Sequence, residues 1–165
     1  MITYTEKGPG LHAAIRKAGH SLRQENGEWI ASDAVAVQAI IDGYTLAQAQ
    51  ALKQSEISAH AKSLRDKAVS GISAGEMASW PIKLAEARAF AANPAAATPM
   101  LSAEAAIRGI TVADIVGKVG GNASTFSALE AQIGGVDGMH RDAVRALTTF
   151  EAVNGYDFSG GWPAL

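Results

Sequence analysis

Asn26-Gly27 is the dipeptide that most restricts this chain. Both residues of a two-residue type I′ turn need positive φ, and no common pair meets that need better. His20 to Gln24 and Glu28 to Ala31 flank it as two short extended runs, so a hairpin is predicted over residues 20–31. Ser32 or Asp33 then caps a helix running to about Asp42, with Val37, Ile40 and Ile41 on one face and Gly43 as its stop. Upstream, Leu11, Ala14, Ile15 and Ala18 share a helical face that Gly19 closes. The β-branched and aromatic run Ile2 to Thr5 predicts a strand, ended by Gly8-Pro9-Gly10. A β-α-β-β-α module over residues 1–44 is therefore expected, with Trp29 as the large apolar side chain that anchors the hairpin.

From Thr45 onward the chain reads as helix. About a fifth of its residues are alanine, which favours helix but buries little apolar area per residue. Such a body is thin and is expected to lean on a partner. Thr45 begins a long helix to about Val69, with Lys62 and Asp66 paired on its solvated face. Ser73 caps a second helix, Ala74 to Ala92, and Pro81 is expected to kink or split it. Shorter helices are predicted over 102–108, 112–119, 124–133 and 137–147, the run Gly117 to Asn122 acting as a break. The fold class is mainly α (α+β), with boundaries at 1–44, 45–147 and an aromatic tail at 148–165.

Charge and chemistry narrow the function. Net charge is −2, with 14 basic and 16 acidic residues scattered along the chain, so nothing points to nucleic acid. There is no cysteine, which removes disulfides and thiolate chemistry. The first residues lack a secretion-signal pattern, and no apolar run approaches a membrane span, so synthesis without export is expected. The histidines His12, His20, His60 and His140 have no metal-ligand spacing, and no metal or cofactor is expected. Glu25, Glu28 and Asp33 could flank a sugar as glycosidase carboxylates do, but turn and cap positions explain them better. No nucleophile elbow and no complete phosphate loop is present.

The aromatic residues are the more telling group. Trp80 is expected to fill the helical core. Phe150, Tyr156, Phe158 and Trp162 crowd a glycine-rich tail that either folds back on its own domain or docks on a neighbour. With Trp29, these four are the candidate interface residues.

The Ser21–Tyr44 string, preceded by Gly10-Leu11-His12-Ala13-Ala14-Ile15 and followed by Thr45-Leu46-Ala47-Gln48-Ala49, resembles small tail proteins of Mu-like tailed bacteriophages and prophages. The stretch Ala78-Ser79-Trp80-Pro81-Ile82-Lys83-Leu84-Ala85-Glu86-Ala87, with Leu64-Arg65-Asp66, is similar to helical domains of phage tail-fibre proteins. The resemblance implies a structural subunit of the virion tail, fibre- or baseplate-associated, made in the host cytoplasm. It implies other tail and fibre proteins as partners and a homo-oligomer, with trimers matching fibre symmetry. It supplies no catalytic residue. A fibre-assembly chaperone and, more remotely, a cell-wall-degrading tail enzyme are the alternatives.

Overall fold

The computed structural model describes residues 2–165. It is mainly helical, with seven helices and two strands among the described residues: α1 Pro9–Lys17, β1 Leu22–Glu25, β2 Glu28–Ala31, α2 Ala34–Gly43, α3 Leu46–Ala68, α4 Ala74–Ala92, α5 Pro99–Arg108, α6 Val112–Ala146 and α7 Phe150–Gly155. The chain divides into two compact units, Met1–Lys62 with Gly135–Trp162, and Ser63–Gly134 with Pro163–Leu165. Among the described residues no helix is long and apolar enough to cross a membrane.

In the first unit the hairpin forms as the turn chemistry requires. Asn26 and Gly27 take φ of 52° and 87°, and Glu25 pairs with Glu28 across the turn in an antiparallel register. Asp33 rather than Ser32 caps α2, accepting from the Val35 and Ala36 amides at 3.0 Å each. Thr45 and Gln48 cap α3 reciprocally: the Thr45 amide donates to Gln48 Oε1 at 2.7 Å and the Gln48 amide to Thr45 Oγ1 at 3.3 Å. The core joins Leu11 and Ile15 of α1, Val37 and Ile41 of α2 and Val153 of α7, with Ile2, Tyr44 and Ala49 at its margin.

The expected strand at Ile2–Thr5 is not formed; the module is α-β-β-α. Among the described residues no strand pairs with this segment, and its backbone is held by a side chain instead. Gln38 accepts from the Thr3 amide at 2.8 Å and donates to the Thr3 carbonyl at 3.2 Å. Ile2 is buried without a sheet.

The second unit is built around Ala87, Leu101, Ala105 and Ile115. Ser73 caps α4 as expected, accepting from the Glu76 amide at 3.1 Å. Pro81 does not split α4, which runs unbroken from Ala74 to Ala92. It stands on the exposed side of the helix, where the carbonyl one turn earlier can turn to water. Trp80 beside it meets Phe126 edge-on, ring centroids 5.7 Å apart. The α5 helix begins at Pro99 rather than Ser102, with proline in the first turn. Its first amides, on Met100 and Leu101, donate to the Glu86 carboxylate of α4 at 3.2 and 2.9 Å.

One ion-pair cluster in this unit sets a pH dependence. Lys83 Nζ and Arg108 Nη1 lie 2.7 and 2.8 Å from the Glu104 carboxylate. The hydrogen bond from Lys83, then that from Arg108, hold its carboxyl below the ordinary glutamate value of 4.5. A carboxylate lowered on folding stabilises the fold above its unfolded pKa and loses that contribution as pH falls through the folded value. Thermal melts below pH 4.5 should therefore fall less steeply for Glu104→Gln than for the parent, and identical slopes would count against the pairing.

The largest departure from expectation is α6. The predicted breaks at Gly117–Asn122 and near Gly134-Gly135 do not occur, and a single helix of 35 residues spans them. Ile115, Phe126, Ile133 and Val144 recur on one face and are buried or half-buried, so tertiary packing outweighs the weak helix propensity of glycine.

Candidate assembly surface

The candidate interface residues fall into separate clusters. Trp29 stacks on Tyr4 with centroids 4.0 Å apart and planes 24° apart. The Tyr4 hydroxyl is shared with Glu6 at 3.1 Å and His12 Nε2 at 3.0 Å. Burial and then the Glu6 carboxylate push its pKa up to about 12. Trp29 therefore serves the hairpin, covering one side of a two-stranded sheet too small to stand alone.

The aromatic tail folds back on its own chain. It contains a helix that sequence reasoning missed, α7, capped by Thr149 Oγ1 on the Ala152 amide at 3.1 Å. Phe150 stacks on Tyr44 with centroids 6.1 Å apart, and Lys7 Nζ lies 5.6 Å above its ring. The same ammonium donates to the Ile41 and Tyr44 carbonyls at 2.7 and 2.8 Å, closing the C-terminal end of α2.

Beyond α7 the chain closes around His140. Its Nε2 lies 2.9 Å from the Gly160 carbonyl and its Nδ1 2.8 Å from the Tyr156 hydroxyl. A carbonyl only accepts, so Nε2 carries the proton and, in the neutral ring, the tyrosine donates to Nδ1. Trp162 stacks on the His140 ring at 5.7 Å and meets His60 edge-on at 4.9 Å, while its indole N–H donates to the Phe158 carbonyl at 2.7 Å. All five candidate residues are half-buried.

The carboxylates singled out in the sequence have local duties. Glu25 pairs with Arg23 at 2.7 Å, Glu28 sits opposite Glu25 in the ladder, and Asp33 caps α2.

The surface that stands out was not among the candidates. Along α6, Ala113, Gly117, Gly120, Ser124, Ser127, Ala131 and Gly134 alternate four and three residues apart and are all exposed. That spacing keeps one stripe on one side of a helix for about 32 Å. The flanking Gly121 and Ala128 are exposed too, and no charged residue of α6 itself falls in the sector; Arg65 Nη2 of α3 borders its far end, 3.8 Å from where a Cβ would stand on Gly134. Asp114 and Lys118 lie on the adjoining polar side. A Cβ added at Gly117, Gly120 or Gly121 would meet nothing within 4 Å, so the fold of the single chain does not require glycine there. In an isolated chain, Gly121→Ala is expected to raise stability by about 1 kcal/mol, read as a higher Tm; a lower Tm would show a close neighbour at that position.

No known protein family, curated protein or solved structure matches this chain.

Proposed function

We propose that this chain is a structural subunit that acts by non-covalent assembly, and that its setting is the tail-fibre or baseplate apparatus of a tailed bacteriophage. The observation that carries the assembly reading is the exposed, uncharged face of α6 between Ala113 and Gly134. Six glycines in one 35-residue helix are unfavourable for that helix by about 5 kcal/mol relative to alanine. Small side chains at heptad spacing allow a second helix to approach more closely than the usual 8–10 Å. A helix with the same face is the best complement to it, because both backbones then come near along the whole stripe. The occupant we assign is a second copy of this chain.

The tail setting rests on the resemblance of the Ser21–Tyr44 and Ala78–Ala87 segments to phage tail proteins. In this reading the α-β-β-α module and the closed aromatic tail form a compact head, and the helical face carries the contacts between copies. The chain holds other tail components in place and transforms no substrate. Mass spectrometry of purified virions from the host prophage or phage tests the setting. The protein should be present in a fixed number of copies per particle. Absence from the finished particle, together with co-purification with an immature fibre, would replace the structural role with that of a chaperone.

A further inference from the structure

We infer that Asn26 at the hairpin tip is a self-modification site, converted to aspartate and isoaspartate through attack by the Gly27 backbone nitrogen. The chain has four asparagines, and two of them precede glycine: Asn26-Gly27 and Asn154-Gly155. Glycine leaves the nitrogen after the asparagine unhindered, so the two pairs share one intrinsic reactivity. The structure sets them apart. Asn26 and Gly27 are exposed and stand outside the ladder, which ends at the Glu25–Glu28 pair. Neither the Asn26 side chain nor the Gly27 N–H has a hydrogen-bond partner among the described residues. A Cβ added at Gly27 would meet nothing within 4 Å, so the tip has room to change shape. The pair that closes it sets two carboxylates opposite each other, which weakens the closure.

Asn154 has the same neighbour and the opposite surroundings. It lies within α7, is half-buried, and its Nδ2 donates to the Lys7 carbonyl at 3.3 Å. Helical dihedrals fix the Gly155 nitrogen, so attack there requires α7 to open first. Of the other two, Asn93 precedes Pro94, which has no N–H, and Asn122 lies inside α6.

At Asn26 the reaction needs only water. The Gly27 nitrogen gives its proton to solvent and bonds to Asn26 Cγ; the Cγ–Nδ2 bond breaks and ammonia leaves, closing a succinimide ring. Water then opens the ring at either carbonyl. Opening at Cγ gives aspartate, which tolerates the φ of 52° and keeps the turn. Opening at the main-chain carbonyl gives isoaspartate, whose backbone is one carbon longer and no longer fits a two-residue turn. Either product adds a carboxylate between Glu25 and Glu28.

The test is tryptic mass mapping of the full chain stored in mildly alkaline buffer, beside a sample unfolded in guanidinium. In the folded chain Asn26 should gain one mass unit, in two products of equal mass that chromatography separates. Asn154 should react at least about tenfold more slowly, because α7 must open first. Unfolding should remove most of that difference. The isoaspartyl fraction should melt below Asn26→Asp, which carries the charge without the longer backbone. Asn26 unmodified in the folded chain while it reacts in the unfolded one would overturn the assignment, as would Asn154 reacting equally fast in the folded chain. An isoaspartyl fraction melting like Asn26→Asp would overturn the loss of the turn.

Discussion

Removing residues 148–165 is expected to unfold the first unit. A flexible appendage would be lost without consequence, but this segment is part of the core. Val153 is 1% exposed and packs with Leu11, Ile15, Val37 and Ile41. Phe150 covers Tyr44, Asn154 Nδ2 donates to the Lys7 carbonyl at 3.3 Å, and Tyr156 and Trp162 enclose His140. Val153→Ala alone should lower stability by about 2 kcal/mol. Losing α7 and the aromatic closure together should lower it by roughly 5 kcal/mol or more, comparable to the whole stability of a small domain. Far-UV circular dichroism and thermal melting decide this. A truncated chain with the parent's cooperative melt would show that the tail is not part of the core.

Gly8→Ala should be nearly as damaging, for a different reason. Gly8 precedes Pro9 at the start of α1 with φ 86° and ψ −177°, a region that only glycine occupies without strain. A methyl group there would also run into the Asn154 side chain. Asn154 would have to leave, giving up its bond to the Lys7 carbonyl and loosening α7 from α1. Backbone strain and the lost contact together are expected to lower stability by about 3–4 kcal/mol. Gly19→Ala makes the control, since Gly19 also has positive φ, 81°, but open space around it. It should be the milder of the two, and equal losses would remove the steric part of the argument.

How far the fold was legible depended on whether the deciding interaction was local. The Asn26-Gly27 turn, the Ser73 cap and the mainly helical class all rest on contacts within a few residues and could be read directly, while the α2 cap could be narrowed only to Ser32 or Asp33. Ile2–Thr5 failed because β-branched residues announce an extended segment without saying what pairs with it. Gln38, 35 residues away from Thr3, supplied the bonds that a strand would have given. The α6 helix failed the other way. Its glycines are local helix breakers, and the buried or half-buried series from Ile115 to Val144 keeps it whole, with Ile115 packed on Ala87, Leu101 and Ala105 and Phe126 against Trp80. The α7 helix was too short for periodicity to show, although Thr149 stood at its cap position.

The same distinction holds for the candidate surface. The aromatic residues could be picked out by type, but their burial around Tyr4, Tyr44 and His140 depends on chain reversal that no local pattern encodes. The small residues of α6 were visible at regular spacing. They read as breaks because a face exists only once the helix is continuous.

Sedimentation equilibrium on the purified chain, beside Gly120→Arg, tests assembly through α6 most directly. Gly120 is exposed with nothing within 4 Å of an added Cβ, so the arginine can project into solvent in a single chain. It would place a bulky charge in the middle of the uncharged stripe, where close helix contact leaves no room. The parent should self-associate reversibly into a small closed oligomer, while the variant stays monomeric with an unchanged circular dichroism spectrum. A parent that remains monomeric at every concentration, or a variant that associates equally well, would contradict the account.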